Sequence, residues 1–124
     1  MTLMKIRLEL ARTPEYPEGS SARGYEFTAP LTPEGFIGAE AWKTHKDECT
    51  VLRFWAGEDD QHGRLRHVGH GWRFDYDEND DEDDEPFFKL DRHKIEPGAY
   101  VSIKEHDGAM WPFKVVSVRP LLMK

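Results

Sequence analysis

At 124 residues the chain suits a single domain, and with 38% hydrophobic and 12% aromatic residues it is too rich in core-forming side chains to be a disordered polymer. Its one cysteine, Cys49, excludes an internal disulfide and points to a reducing compartment. The net charge of −7 is unevenly spread: nine of the eleven residues from 75 to 85 are acidic, and the remainder carries 17 basic against 15 acidic residues, or +2.

Along residues 3–10, Met4, Ile6, Leu8 and Leu10 alternate with Lys5, Arg7 and Glu9, the period-two pattern of a half-buried strand. That start resembles neither a signal peptide nor a transit peptide. No apolar run approaches the roughly 20 residues needed to span a bilayer. The expectation is a cytoplasmic protein with no membrane contact. Pro14, Pro17 and Gly19–Ser21 mark a loop. Tyr25, Phe27 and Ala29 then alternate with Glu26 and Thr28 in a second strand ending near Pro30. Gly35 and Gly38 work against a helix starting at Thr32–Pro33, whereas residues 39–47 favour one short helix.

Residues 50–56 read as a β-branched and aromatic strand, joined across 57–63 to a long run over 64–76. In that run Val68, His70, Trp72, Phe74 and Tyr76 share one parity, and Gly69 and Gly71 suggest a bulge or sharp coiling. After the acidic stretch come a short strand at 86–90, a turn at 96–99 and a strand at 100–105. His106-Asp107-Gly108-Ala109 is a strong hairpin signal leading into a last strand over 110–118. The expected fold is mainly β: a small barrel or roll of about seven mostly antiparallel strands, with one short helix near 39–47. One domain covers 1–124 and carries a disordered acidic loop at 77–85. The stretch from Pro97 to Val118 resembles the closing hairpin of small β-barrels. More broadly the chain is similar to small bacterial proteins of unassigned function, a likeness that implies no activity and no ligand.

Four features bear on chemistry. The first is the acidic loop, with Asp77, Glu78, Asp80, Asp81, Glu82, Asp83, Asp84 and Glu85. The spacing of Asp75, Asp77, Asn79, Asp81 and Asp83 resembles the start of a calcium loop of the EF-hand type. That motif needs Gly at its sixth position and Glu at its twelfth. Asp80 and Pro86 stand there, and the register from Asp77 places Glu82 and Phe88 instead. For the loop taken alone the favoured reading is a solvated, self-repelling connection between two strands, and a further reading is an electrostatic site that docks a basic surface on another protein or mimics nucleic acid. The same charges would equally suit its own Arg64, Arg66, Arg73, Arg92 and Lys94.

The second feature is a set of histidines, of which His62, His67 and His93 are weak candidate metal ligands lacking the tight spacing of zinc sites. His70, by its parity, reads better as a core residue. The third is Cys49, near His45 and Lys46, where a nucleophilic role competes with that of a small buried hydrophobe. The fourth is the interleaving of Arg53, Trp55, Arg64, Arg66 and Arg73 as a basic and aromatic face. Such a face suits single-stranded nucleic acid, but the nearly neutral body and the adjacent acidic loop disfavour that partner. Core aromatics with a basic solvent face account for it better. No phosphate loop, nucleophile elbow or metalloprotease helix motif is present, and no cofactor is implied. The favoured function is therefore a non-enzymatic binding or adaptor domain contacting a basic protein partner. Metal binding or metal-dependent hydrolysis is the first alternative, and single-strand nucleic-acid binding the second.

Overall fold

The computed structural model describes residues 3–68, 71–76, 85–87, 94–104 and 109–120. Within them, eight strands run in sequence: β1 (Leu3–Leu10), β2 (Ser20–Pro30), β3 (Thr50–Trp55), β4 (Gln61–Val68), β5 (Gly71–Tyr76), β6 (Glu85–Phe87), β7 (Tyr100–Lys104) and β8 (Met110–Pro120). Each pairs antiparallel with the next, and β8 returns to pair with β1, so the sheet curls into a closed up-and-down barrel. The ladder is thinnest at β6, a three-residue strand that meets β7 through the pair Phe87–Ile103. One α-helix, α1 (Ala39–Thr44), and a 3-10 turn (Lys46–Glu48) lie in the connection between β2 and β3.

The mainly β fold with one short helix is as the patterning implies. The expected single run over 64–76 is divided into two strands. Val68 pairs with Gly71 and Arg66 with Arg73, so the chain reverses between β4 and β5. The expected bulge is thus a change of strand. The β3–β4 hairpin is also tighter than expected, with Arg53 paired to Gln61 and only residues 56–60 between the strands. The acidic stretch 77–84, His70 and His93 lie outside the described residues, as does the Asp107-Gly108 turn. Glu85, expected in the loop, opens β6 opposite Phe74.

An eight-stranded barrel has an interior just wide enough for side chains to fill it. Here the inward positions are Ile6, Leu8 and Leu10 on β1, Tyr25, Phe27 and Ala29 on β2, Leu65 on β4, Trp72 and Phe74 on β5, Val101 and Ile103 on β7, and Phe113 and Val115 on β8, all buried. The aromatic rings interlock, with Tyr25 4.9 Å from Phe74 and 5.2 Å from Phe113, and Phe27 5.5 Å from Phe74. Such offset and edge-on pairs add to the burial energy of the rings. The sheet coils through two irregularities on β1, between Arg7 and Leu8 against β8 and between Glu9 and Leu10 against β2. Gly24 makes the second possible: a Cβ there would stand 2.0 Å from the Leu8 carbonyl oxygen.

The two ends of the barrel are closed differently. At one end the β2–β3 connection folds under, burying Ile37, Trp42 and Cys49 together with Ile95. The Trp42 indole N–H donates to the Leu65 carbonyl at 2.9 Å, and the Ile95 N–H to the Gly35 carbonyl at 2.7 Å. The other end, called the rim here, is where β1, β3, β5 and β7 finish and β2, β4, β6 and β8 begin.

Candidate functional site at the arginine–aromatic rim

On β3, strand alternation turns Val51, Arg53 and Trp55 toward the interior. Arg53 is only 3% exposed, an unusual place for a guanidinium. Its Nη1 donates to Glu58 Oε1 at 3.0 Å, and its Cζ lies 4.5 Å from the Trp55 ring centroid. A turn positions Glu58, whose N–H donates to the Trp55 carbonyl at 2.9 Å. Gly57 lies at φ +87°, the left-handed backbone such a turn requires. The Glu58 side chain itself is 54% exposed.

Arg23, opposite Trp55 in the β2–β3 ladder, shares the inward parity of Tyr25 and Phe27. Its Cζ sits 4.5 Å from the Tyr16 ring and 6.0 Å from Trp55. Its Nη1 donates to Ser20 Oγ at 3.1 Å, but its Nε is buried without a hydrogen-bond partner. Trp111 completes the cluster, 5.8 Å from Trp55 and 6.1 Å from Tyr16. The rim therefore holds two guanidinium groups on a floor of indole and phenol rings, with the Glu58 carboxylate seated on one. Cation–π contacts of this type contribute roughly 0.5–2 kcal/mol each, rising with desolvation.

The expected single basic and aromatic face is accordingly split in two. Arg53 and Trp55 point inward, so Arg53 is no part of a basic solvent face. Arg64 and Arg66 are exposed on the outer side of β4, because Gly63 and Leu65 take the inward positions. Arg73 lies on the outer side of β5, between the buried Trp72 and Phe74. Arg66 pairs with Asp75 at 2.6 Å, which offsets part of the outer charge. Sequence reading missed Arg23 and Tyr16, whose only signals were the parity of Arg23 with Tyr25 and a tyrosine isolated in a loop.

The two described histidine candidates, His62 and His67, do not converge. His62 is exposed on the outer side of β4, opposite Leu52. His67, five residues along the same strand and so on its other side, stacks 4.5 Å from Trp72 and meets Trp42 edge-on at 6.0 Å. Among the described residues no three His, Cys, Asp or Glu side chains are grouped to hold a metal ion. Cys49 is fully buried, and burial first, with Glu48 nearby second, pushes its thiol up to about 11. It packs as a small hydrophobe, and at neutral pH it holds its proton.

Outside the barrel, Arg7 organises the β1–β2 surface. It donates to Glu9 and Glu26 at 2.7 Å each and lies 4.4 Å from the Phe54 ring. Burial works against its charge, yet the bonds to the two carboxylates prevail and its pKa is raised. An open groove of about 930 Å³ crosses the neighbouring strands, with Glu9, Arg12, Lys114, Tyr100 and Val116 in its lining. Its charges are mixed in sign and select no ligand. Among the described residues no helix is long and apolar enough to cross a membrane.

Compared with known proteins, the chain matches no family model, no curated sequence and no solved structure.

Proposed function

We propose that this protein is a non-enzymatic binding domain that meets a basic protein partner at the rim end of its barrel. The observation that carries this reading is the segregation of charge: nine of the eleven residues 75–85 are acidic on an otherwise nearly neutral chain. Two features of the fold support it. The interior is filled by side chains, which directs recognition to the outer surface and the end loops. The strands that residues 77–84 connect are β5, which finishes at the rim, and β6, which begins there. Dense like charge would steer a basic surface toward that end at low salt and lose its hold as salt rises.

The test replaces residues 78–84 with Gly and Ser, leaving Glu85 in β6, and compares proteins captured by the two forms. Capture of basic proteins by the wild type, lost in the variant and lost above about 0.5 M salt, is the expected result. Equal capture by both forms would overturn the reading.

A further inference from the structure

We propose that the outer face of β7, β8, β1 and β2 is the interface of a two-fold dimer, with a second copy of this chain as its occupant. This face is separate from the strands that residues 77–84 connect: in a closed ring of eight, β5 and β6 stand across the barrel from β1 and β2.

Three observations lead there. First, the apolar side chains left in water are gathered on one face. Among the described residues the exposed large hydrophobics are Tyr100 at 59%, Met110 at 48% and Val116 at 37%, and all three lie on β7 or β8. Single apolar side chains scattered over a surface are ordinary, whereas a gathering of them marks a place of contact. Val116 owes its position to the irregularity between β8 and β1. Ser117 pairs with Arg7 and Val115 with Leu8, so Val116 has no partner in that ladder and turns outward.

Second, the face carries both halves of a fit. Its groove of about 930 Å³ is lined by Tyr100 and Val116 and by the small side chains of residues 19–22. A projecting aromatic ring beside a hollow is what two copies exchange about a two-fold axis, each ring entering the other's groove. Tyrosine is among the residues on which interfaces concentrate their affinity.

Third, the charges of the groove balance: Glu9 and Glu18 against Arg12 and Lys114. Glu9 is bonded to Arg7, while Arg12, Glu18 and Lys114 are exposed and form no ion pair among the described residues. A strongly acidic or strongly basic partner would leave half of these groups facing like charge. A second copy brings the same balanced set, and the acids of each can meet the bases of the other.

The test measures mass by sedimentation equilibrium on the full chain from about 1 to 300 µM, a span that suits an interface of modest size. The mass should rise from that of one chain to that of two. It should do so equally when residues 78–84 are replaced with Gly and Ser, which separates this association from binding through the acidic stretch. Tyr100→Ala, at an exposed position, should weaken the dimer about tenfold or more. Glu18→Lys leaves three bases against one acid in the groove, and Lys114→Glu leaves three acids against one base. Each of these chains should be monomeric alone, and the two mixed should pair one to one, as a face that meets itself requires. A wild type that stays monomeric throughout would overturn the proposal and give the face to a different partner. A dimer indifferent to Tyr100→Ala and to both charge reversals, or reversed chains that fail to pair when mixed, would overturn it as well.

Discussion

At the plugged end of the barrel, Ile37, Trp42, Cys49 and Ile95 are buried and Trp42 spends its one donor on a backbone carbonyl. At the rim, the inward positions of β2 and β3 carry Arg23, Arg53 and Trp55, and a surface carboxylate sits on Arg53; each end leaves a buried N–H without a hydrogen-bond partner, Trp72 Nε1 at the plug and Arg23 Nε at the rim. Both ends use aromatic rings to fill the barrel mouth. They differ in what the rings face: a backbone carbonyl, other rings and one lysine ammonium at the plugged end, two guanidinium groups at the other. The contrast teaches that a barrel needs only one end closed by apolar packing. The second can then hold guanidinium groups among aromatic rings, with a carboxylate and a hydroxyl as partners.

Substitutions can break that comparison or sharpen it. The largest expected effect is at the plug, where Trp42→Ala should cost about 3–5 kcal/mol in urea unfolding through lost burial and the cavity left behind. Trp55→Ala at the rim, where the ring is only partly buried, should cost roughly half as much or less. Equal losses would make the rim a second core and remove the contrast.

Next in size is a pH effect at the plug. The Cys49 thiol ordinarily ionises near 9.0 and does so near 11 in the folded protein. Its neutral form is therefore favoured by folding. That stability is fully present below pH 9 and is lost as pH rises through 11, by about 2–3 kcal/mol. Cys49→Ala should flatten this part of the stability curve. A thiol reagent at pH 8 should react with native protein far more slowly than with protein in urea, and fast reaction in the native state would contradict the burial.

Smaller effects separate the two kinds of charge contact. Arg7→Ala should cost on the order of 1 kcal/mol, since the side chain bridges Glu9 and Glu26 in partial contact with water, and the loss should shrink in high salt. Glu58→Gln should change stability by less than about 1 kcal/mol, because Glu58 is half exposed. A large loss there would make Glu58 a structural clamp on Arg53.

Much of the fold was legible in the chain. Alternation in residues 3–10 and 25–29 placed the inward faces of β1 and β2, and the β-branched run from Thr50 located β3 without its inward face. The long run over 64–76 was not legible as two strands, because the parity of Trp72 and Phe74 was extended back through His70 to Val68, whereas on β4 the inward residues are Leu65 and His67, and the phase changes at the reversal. The candidate site was legible in its residue types and not in its grouping. Arg53 and Trp55 were singled out, yet they were joined to Arg64 and Arg66, which lie on the outer side of the sheet. Arginine in a strand reads as solvent-facing by its chemistry, and the parity of Arg53 with Val51 was the signal against that reading.

The sequence by itself determined the class of fold, its short helix, its turns and the concentration of acid in one stretch. Those follow from periodicity, backbone preferences and counting, all local properties of a chain. Only the tertiary structure decided that the sheet closes, that β4 and β5 are separate strands, and that Tyr16, Arg23, Arg53, Glu58 and Trp111 meet at one rim. Residues 16 and 111 are remote in the chain, and only the pairing of β8 with β1 brings them within 6.1 Å. Such contacts depend on register and closure, which no local pattern encodes.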